Sequence, residues 1–343
     1  MPLPFKRKAK KSMSKKKKRL LVTRFSALGD VAMLAPVLQE FIEQNPNVEV
    51  YVASRPKMKA IFDQVEGIHF LSIDLDHQYK GLWGILRLYR YLKTFHFTEY
   101  ADCHQVLRTQ VLGMLFRISG VEISVLNKGR KEKKALISQK NKILQPLRPM
   151  TERYADVFRQ LGYSLILSNT LSKRLPKLSN TIGIAPFAKY ESKTYPLKEM
   201  KKIVVALAAK GYKVYLFGGG KKETQLLHQW EKLHENIESK ASKMSFYEEL
   251  SLIAQLPLML SMDSANMHLA SLMGTRVISF WGGTHPFAGF LGYGQSMDDV
   301  VQDESLAIRP TSIFGKDPRK YKGYNYFVNL STDDVIKKIL TRI

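Results

Sequence analysis

The chain has a single cysteine, Cys103, in 343 residues. One thiol excludes an internal disulfide and any metal site built from several cysteines. No apolar run approaches the roughly 20 residues of a membrane-spanning helix. The start of the chain also lacks the long apolar region and cleavage site of a secretory signal, so we expect a cytoplasmic protein.

Acidic residues are scarce: 30 Asp and Glu stand against 54 Lys and Arg, a formal net charge of +24. Residues 1–19 carry ten of the basic residues and no acid, which leaves an excess of +14 on the rest. This segment predicts a disordered basic tail. Because the remainder is basic too, we expect an anionic lipid surface or glycan as partner. Nucleic acid is not expected, since no recognisable nucleic-acid-binding module is present.

Several signatures of other enzyme classes are missing. No Gly-x-Gly-x-x-Gly follows the first predicted strand, residues 20–25, which argues against a dehydrogenase. Ser26 lacks the Gly-x-Ser-x-Gly frame of a nucleophile elbow. The eight histidines show no metal-ligand spacing, so we expect no metal site and no cofactor.

Strand-like and helix-like segments alternate in two successive runs, which predicts two doubly wound α/β domains that face each other across a ligand cleft. The boundaries we predict are a domain over residues 20–170, a linker over 171–180, a second domain over 181–331 and a final helix over 332–343. The polar, basic residues 129–142 are predicted to form a mobile loop or a surface element.

One stretch of the second domain is typical of a phosphate-binding βαβ unit. Apolar strands over 258–262 and 276–281 flank a segment with helical spacing. Asp263 and Ser264 form a polar turn before this helix, whose free N–H groups and dipole favour an anion. His268 follows one turn later on the same side as Ser264.

Three blocks of the chain resemble those of glycosyltransferase family 9, the bacterial lipopolysaccharide heptosyltransferases. The first block is RFSALGD over residues 24–30. The second is IAP over residues 184–186, with Lys193, Pro196 and LFGG over residues 216–219. The third is DSANMHLA over residues 263–270, with FWGGT over residues 280–284. The resemblance implies the GT-B architecture, two facing Rossmann-like doubly wound domains. The N-terminal domain would bind the acceptor, and the C-terminal domain would bind the nucleotide sugar.

The family's activity implies an inverting, metal-independent transfer of a heptose, or a related sugar, from an ADP-sugar to a lipopolysaccharide or lipooligosaccharide core acceptor. Asp30 matches the family's proposed catalytic base. A carboxylate at this position also caps a helix N-terminus, and the two roles can coexist.

The resemblance also implies a set of donor-binding residues. Lys193, Ser264 and Ala265 are expected to contact the diphosphate, and Asp263 the sugar hydroxyls. Glu223 is expected to contact the ribose, and Met244 the adenine. Met244 fits a core position nearly as well, and His268 is either functional or a brace for the turn. Ala265 stands where the family usually has glycine, so a positive backbone angle there would be strained.

Two other readings stay open from the sequence. One is a different doubly wound enzyme, such as a nucleotide-sugar epimerase. The other is a non-catalytic binding protein for anionic glycan or nucleic acid. For the leading reading we expect a lipid-linked anionic glycan as acceptor. We also expect peripheral attachment to the inner face of the cytoplasmic membrane through the basic tail.

Overall fold

The computed structural model describes residues 18–140, 142–172 and 175–343. Of the predicted tail over residues 1–19, only Lys18 and Arg19 lie within the described residues, where they begin the first strand. No helix in these ranges is long and apolar enough to cross a membrane.

In the described residues, the N-terminal half is built on a parallel sheet of five strands with the order β3-β2-β1-β4-β5. Its elements in chain order are β1 (Lys18–Thr23), α1 (Leu28–Gln44), β2 (Val48–Ser54), α2 (Lys59–Phe62), β3 (Ile68–Ser72), α3 (Gly81–Lys93), β4 (Glu99–Asp102), α4 (Leu107–Ile118), β5 (Glu122–Val125), α5 (Arg130–Leu136) and α6 (Met150–Arg159).

The C-terminal half repeats the plan with a parallel sheet of six described strands, ordered β11-β10-β9-β6-β7-β8. Its elements are β6 (Thr181–Ala185), α7 (Leu197–Ala209), β7 (Lys213–Leu216), α8 (Lys221–Glu231), β8 (Ile237–Ser239), α9 (Phe246–Gln255), β9 (Leu258–Met262), α10 (Ala265–Leu272), β10 (Arg276–Trp281), β11 (Val300–Gln302) and α11 (Thr332–Leu340).

Both sheets reverse their strand order at the centre, between β1 and β4 and between β6 and β9. Every residue of β6 and β9 is buried, as expected of parallel strands covered on both faces. Such a reversal opens a crevice at the carboxyl ends of the strands. The two halves meet where α1 packs against α10, and one apolar cluster, including Leu34 and Met267, runs through both. The prediction of two doubly wound halves is confirmed.

Of the two alternatives for residues 129–142, the mobile loop is wrong in part, because Arg130–Leu136 forms helix α5. Gly129 precedes it in a left-handed conformation at φ 61. The helix buries little besides Lys133 and Leu136. So narrow an apolar stripe gives almost no periodic signal, and the sequence therefore does not predict this helix.

Candidate active site

A cavity of about 640 Å³ lies between the two halves. Its wall combines the start of α1 with the turns that follow β6, β7 and β9. The predicted residues that line it are Asp30, Lys193, Glu223, Asp263, Ser264, Ala265 and His268. Met244 is not among the described residues that line this cavity. Phe246, two positions later, does line it.

On the donor side, Lys193 and Asp263 form an ion pair, with 2.9 Å between Nζ and Oδ2. Thr284 donates its hydroxyl to the same Oδ2 at 2.7 Å. Both ionised side chains are largely buried, so the pair is protected from screening. Asp263 therefore holds the Lys193 ammonium in the cavity wall, a role that the sequence did not reveal.

The position of Lys193 depends on close packing of a second segment. Lys193 ends a 3₁₀ turn, Glu191–Lys193, and Ser192 in this turn donates its hydroxyl to the carbonyl of Gly315 at 2.6 Å. Gly315 has a φ of +92, and a Cβ there would lie 2.3 Å from Cδ of Lys193. Only glycine fits this contact without displacing the lysine stem.

The start of α10 is suited to an anion. Ser264 occupies the N-cap position in an extended conformation, and its side chain makes no capping hydrogen bond to the described backbone. The N–H groups of the first turn are therefore open to a ligand. Ala265 is absent from the described non-glycine residues with positive φ, so the strain considered for it does not arise.

His268 lies where the two walls approach each other. A Cβ on Gly29 would stand 3.0 Å from Cδ2 of His268, so glycine lets α1 come this close. The imidazole is 5% exposed, and its Nδ1 has no hydrogen-bond partner among the described residues. Burial lowers the pKa of His268 to about 4. The ring is neutral near pH 7 and can offer a hydrogen bond but no charge.

Asp30 lies on the facing wall in the first turn of α1. Its Oδ2 is paired with the guanidinium of Arg24 and accepts the N–H of Ala27 at 3.2 Å. The second contact is the capping interaction expected from the sequence. Oδ1 accepts no hydrogen bond from the described residues and is the oxygen available to a substrate hydroxyl.

Arg24 is itself held firmly. It is 5% exposed, donates Nη1–H to the carbonyl of Cys103 at 2.8 Å, and stacks 5.8 Å from the ring centre of Tyr154. The sequence showed Arg24 only as part of the first block, because Cys103 and Tyr154 lie far away along the chain. In the fold it fixes the orientation of Asp30.

A second cavity of about 430 Å³ begins at Asp30 and extends into the N-terminal half. Its basic lining residues are Arg24, Lys128, Arg130, Lys133 and Lys134. Lys133 is only 6% exposed, and its ammonium lies 4.4 Å from the ring centre of Phe290. Burial, with a smaller contribution from Arg153, lowers the pKa of Lys133 to about 8. These cations make the cavity suitable for an anionic group.

The far end of the first cavity is partly aromatic. Glu223 accepts the N–H of Gly219 at 2.9 Å, which closes the glycine turn after β7. Phe187 and Phe246 line the wall, and Glu249 lies beside them with its carboxyl pKa raised by burial. Sequence reasoning missed these three residues, since no motif marks them.

Comparison with known proteins identifies the family. Residues 87–305 match the model of "Glycosyltransferase family 9 (heptosyltransferase)", which spans more than half of the chain. The comparison with curated proteins gives no match.

Solved structures of several proteins share the fold. A family 9 glycosyl transferase from Veillonella parvula is 17% identical, with a TM-score of 0.73, over 96% of this chain and 98% of its own. E. coli heptosyltransferase WaaC, solved with ADP-2-deoxy-2-fluoro heptose, is 16% identical, with a TM-score of 0.68, over 95% and 100%. E. coli ADP-heptose lps heptosyltransferase II is 15% identical, with a TM-score of 0.64, over 94% and 98%. The chain therefore belongs to glycosyltransferase family 9, and it is a glycosyltransferase with the GT-B architecture.

Proposed function

We propose that this glycosyltransferase moves a heptose, or a related sugar, from an ADP-sugar to a lipopolysaccharide or lipooligosaccharide core acceptor, with inversion and without a metal ion. The observation that supports this most is the placement of two sets of residues on facing walls of one cavity. One wall carries Asp30, and the other carries Lys193 together with the start of α10. The similar structure of WaaC was solved with an ADP-heptose analogue.

In the proposed donor complex, the diphosphate lies against the Lys193 ammonium and the first-turn N–H groups of α10. As the bond between the sugar and the diphosphate breaks, the leaving oxygen gains negative charge. A fixed ammonium and oriented N–H groups stabilise that charge in the transition state. Asp263 keeps the ammonium in place before the donor arrives.

On the acceptor side, Oδ1 of Asp30 takes the proton from the attacking hydroxyl. The acceptor oxygen forms its bond to the anomeric carbon as ADP departs with the electron pair of the broken bond. A single displacement of this kind inverts the anomeric configuration. Arg24 keeps Asp30 turned toward the cavity, and the basic second cavity holds an acidic group of the acceptor.

Thermal-shift measurements with a panel of ADP-, UDP- and GDP-sugars test the donor. Selective stabilisation by ADP-sugars is expected, and stabilisation by UDP-sugars alone would contradict the proposal. Transfer in the presence of excess chelator tests the independence from metal. Asp30→Asn is expected to abolish transfer while ADP binding persists, and full activity in this variant would exclude Asp30 as the base.

We also propose that the enzyme works at the inner face of the cytoplasmic membrane. The support is the sequence of residues 1–17, which contains eight Lys and Arg and no acid. Basic segments of this kind are attracted to anionic lipids. Deletion of residues 2–17 is expected to lower the membrane-bound fraction in cells while sparing turnover of a soluble acceptor. An unchanged membrane fraction would exclude the tail as an attachment.

A further inference from the structure

The outer helices of the N-terminal half expose an unusual number of large apolar side chains. Those on α3 and α4 are Leu82, Trp83, Tyr91, Leu107, Met114 and Ile118. Trp83 is 78% exposed, so most of its large apolar ring lies in water. Single exposed apolar residues are normal, but a cluster on neighbouring helices marks an interaction surface.

The two helices form one continuous surface. Both cover the same apolar cluster, in which Leu88 of α3 and Leu112 of α4 are buried. Tyr89 is hydrogen-bonded to Ser119, just beyond α4. At the other end, Arg108 donates Nη1–H to the carbonyl of Tyr79 at 2.7 Å, which ties the starts of the helices together. We call this surface the α3–α4 face.

The charged side chains of the two helices in the α3–α4 face are all basic. The two helices contain no Asp or Glu, and their basic residues are Arg87, Arg90, Lys93, Arg108 and Arg117. Exposed Trp and Leu combined with Arg and Lys are typical of surfaces that lie in the interface of an anionic bilayer. The absence of Asp and Glu from both helices favours an anionic bilayer over a protein partner with charges of both signs.

The position of the face relative to the cleft agrees with this partner. Leu82, Trp83 and Leu107 lie at the helix starts that follow β3 and β4, on the rim where the cleft opens. At the opposite end, Arg19 donates Nη1–H to the carbonyl of Phe95, just after α3, at 3.0 Å. The basic segment of residues 1–17 therefore joins the described chain beside the same face.

We propose that the α3–α4 face docks on an anionic lipid bilayer and brings the acceptor-binding half to the membrane surface. This inference rests on the proposed function in one respect, that the acceptor is lipid-linked. The apolar side chains enter the headgroup region, and the Arg and Lys side chains contact lipid phosphates. The face supplies a fixed orientation, which a basic tail alone cannot give.

Tryptophan fluorescence provides a direct test. All three tryptophans lie in the described chain, and Trp230 and Trp281 are buried at 3% and 0% exposure, so a change on vesicle binding reports Trp83. The full-length protein is titrated with vesicles of phosphatidylglycerol and phosphatidylethanolamine. A blue shift and quenching by brominated lipid are expected, and neither is expected with pure phosphatidylcholine. An unchanged spectrum of the bound protein would overturn the proposal.

Variants separate the face from the tail. Leu82→Ser with Trp83→Ser is expected to weaken vesicle binding about tenfold or more, since two apolar side chains no longer leave water. The matched control is Ile166→Ser, which removes an isoleucine that is 77% exposed outside the face. Arg87→Glu with Arg90→Glu is expected to act like the serine pair, and Lys198→Glu with Lys201→Glu on α7 serves as its control.

The remaining outcomes are also decisive. If deletion of residues 2–17 removes all vesicle binding and the serine pair changes nothing, the tail alone attaches the protein and the face does not dock. A spectral shift with RNA but not with vesicles would also refute the inference. The serine pair is expected to keep its turnover on a soluble acceptor. If the wild type binds vesicles as described but transfers no sugar, the proposed function fails while the docking face stands.

Discussion

Lys193→Met perturbs the buried ion pair that shapes the donor side of the cleft. The substitution keeps the aliphatic stem against Gly315 but leaves the carboxylate of Asp263 without a cation. Asp263 keeps its hydrogen bond from Thr284, which offsets only part of the loss. Stability and donor binding should therefore both fall, for different reasons.

The two magnitudes can be worked out separately. Removing one partner of a buried ion pair costs about 3–5 kcal/mol, and the residual exposure of Lys193 places this site near the lower end, about 3 kcal/mol. Losing a charge-assisted hydrogen bond to the diphosphate costs about 1.5–3 kcal/mol. The dissociation constant for ADP should therefore rise about tenfold to a hundredfold.

A double variant separates the two effects. Lys193→Met with Asp263→Asn removes both charges, so the free energy of unfolding should return to within about 1 kcal/mol of wild type. ADP affinity should stay below that of wild type, because neither methionine nor asparagine supplies a positive charge to the diphosphate. Chemical denaturation gives the first quantity and isothermal titration with ADP gives the second. Lys198→Met, at an exposed position on α7, is the control.

Two results would refute this reasoning. If Lys193→Met binds ADP as tightly as wild type, the ammonium does not contact the diphosphate. If the double variant recovers both wild-type stability and wild-type ADP affinity, the charge of the Lys193 ammonium is not needed to bind the diphosphate.

Three further predictions follow from the site. Gly315→Ala should weaken ADP binding, measured by titration, because the added Cβ would displace the stem of Lys193. Wild-type affinity would show that the segment around Gly315 moves aside without displacing Lys193. Lys133 loses its charge as pH rises through about 8, so KM for the acceptor should increase above that pH in wild type. Lys133→Met should have a high KM with no such rise. If the variant keeps the pH dependence, Lys133 is not the group that binds the acceptor. Burial raises the pKa of the Glu249 carboxyl, so its ionised form destabilises the fold at any pH above the pKa of this group in the unfolded chain. Glu249→Gln should therefore raise the free energy of unfolding near pH 7 but not near pH 4. Equal effects at the two pH values would contradict this cause.

The sequence determined the two-domain alternation and the positions of the polar turns. A strand buries one face and a helix buries one stripe, so apolar residues recur along the sequence with the period of the element. Asp30 follows the first strand and Lys193 follows β6, and parallel strands place such turns on the rim of a sheet. For this reason the sequence alone assigns the motif residues to one cleft.

The tertiary structure alone decided which side chains meet. Lys193 pairs with Asp263, and Arg24 is fixed by Cys103 and Tyr154, partners that lie roughly 70 to 130 residues away along the chain. No local pattern encodes such contacts, because they depend on how separate elements pack. The same holds for α5, which buries too few side chains to show a period, and for the α3–α4 face. Its exposed apolar residues look like core positions in the sequence, and only the packed fold leaves them in water.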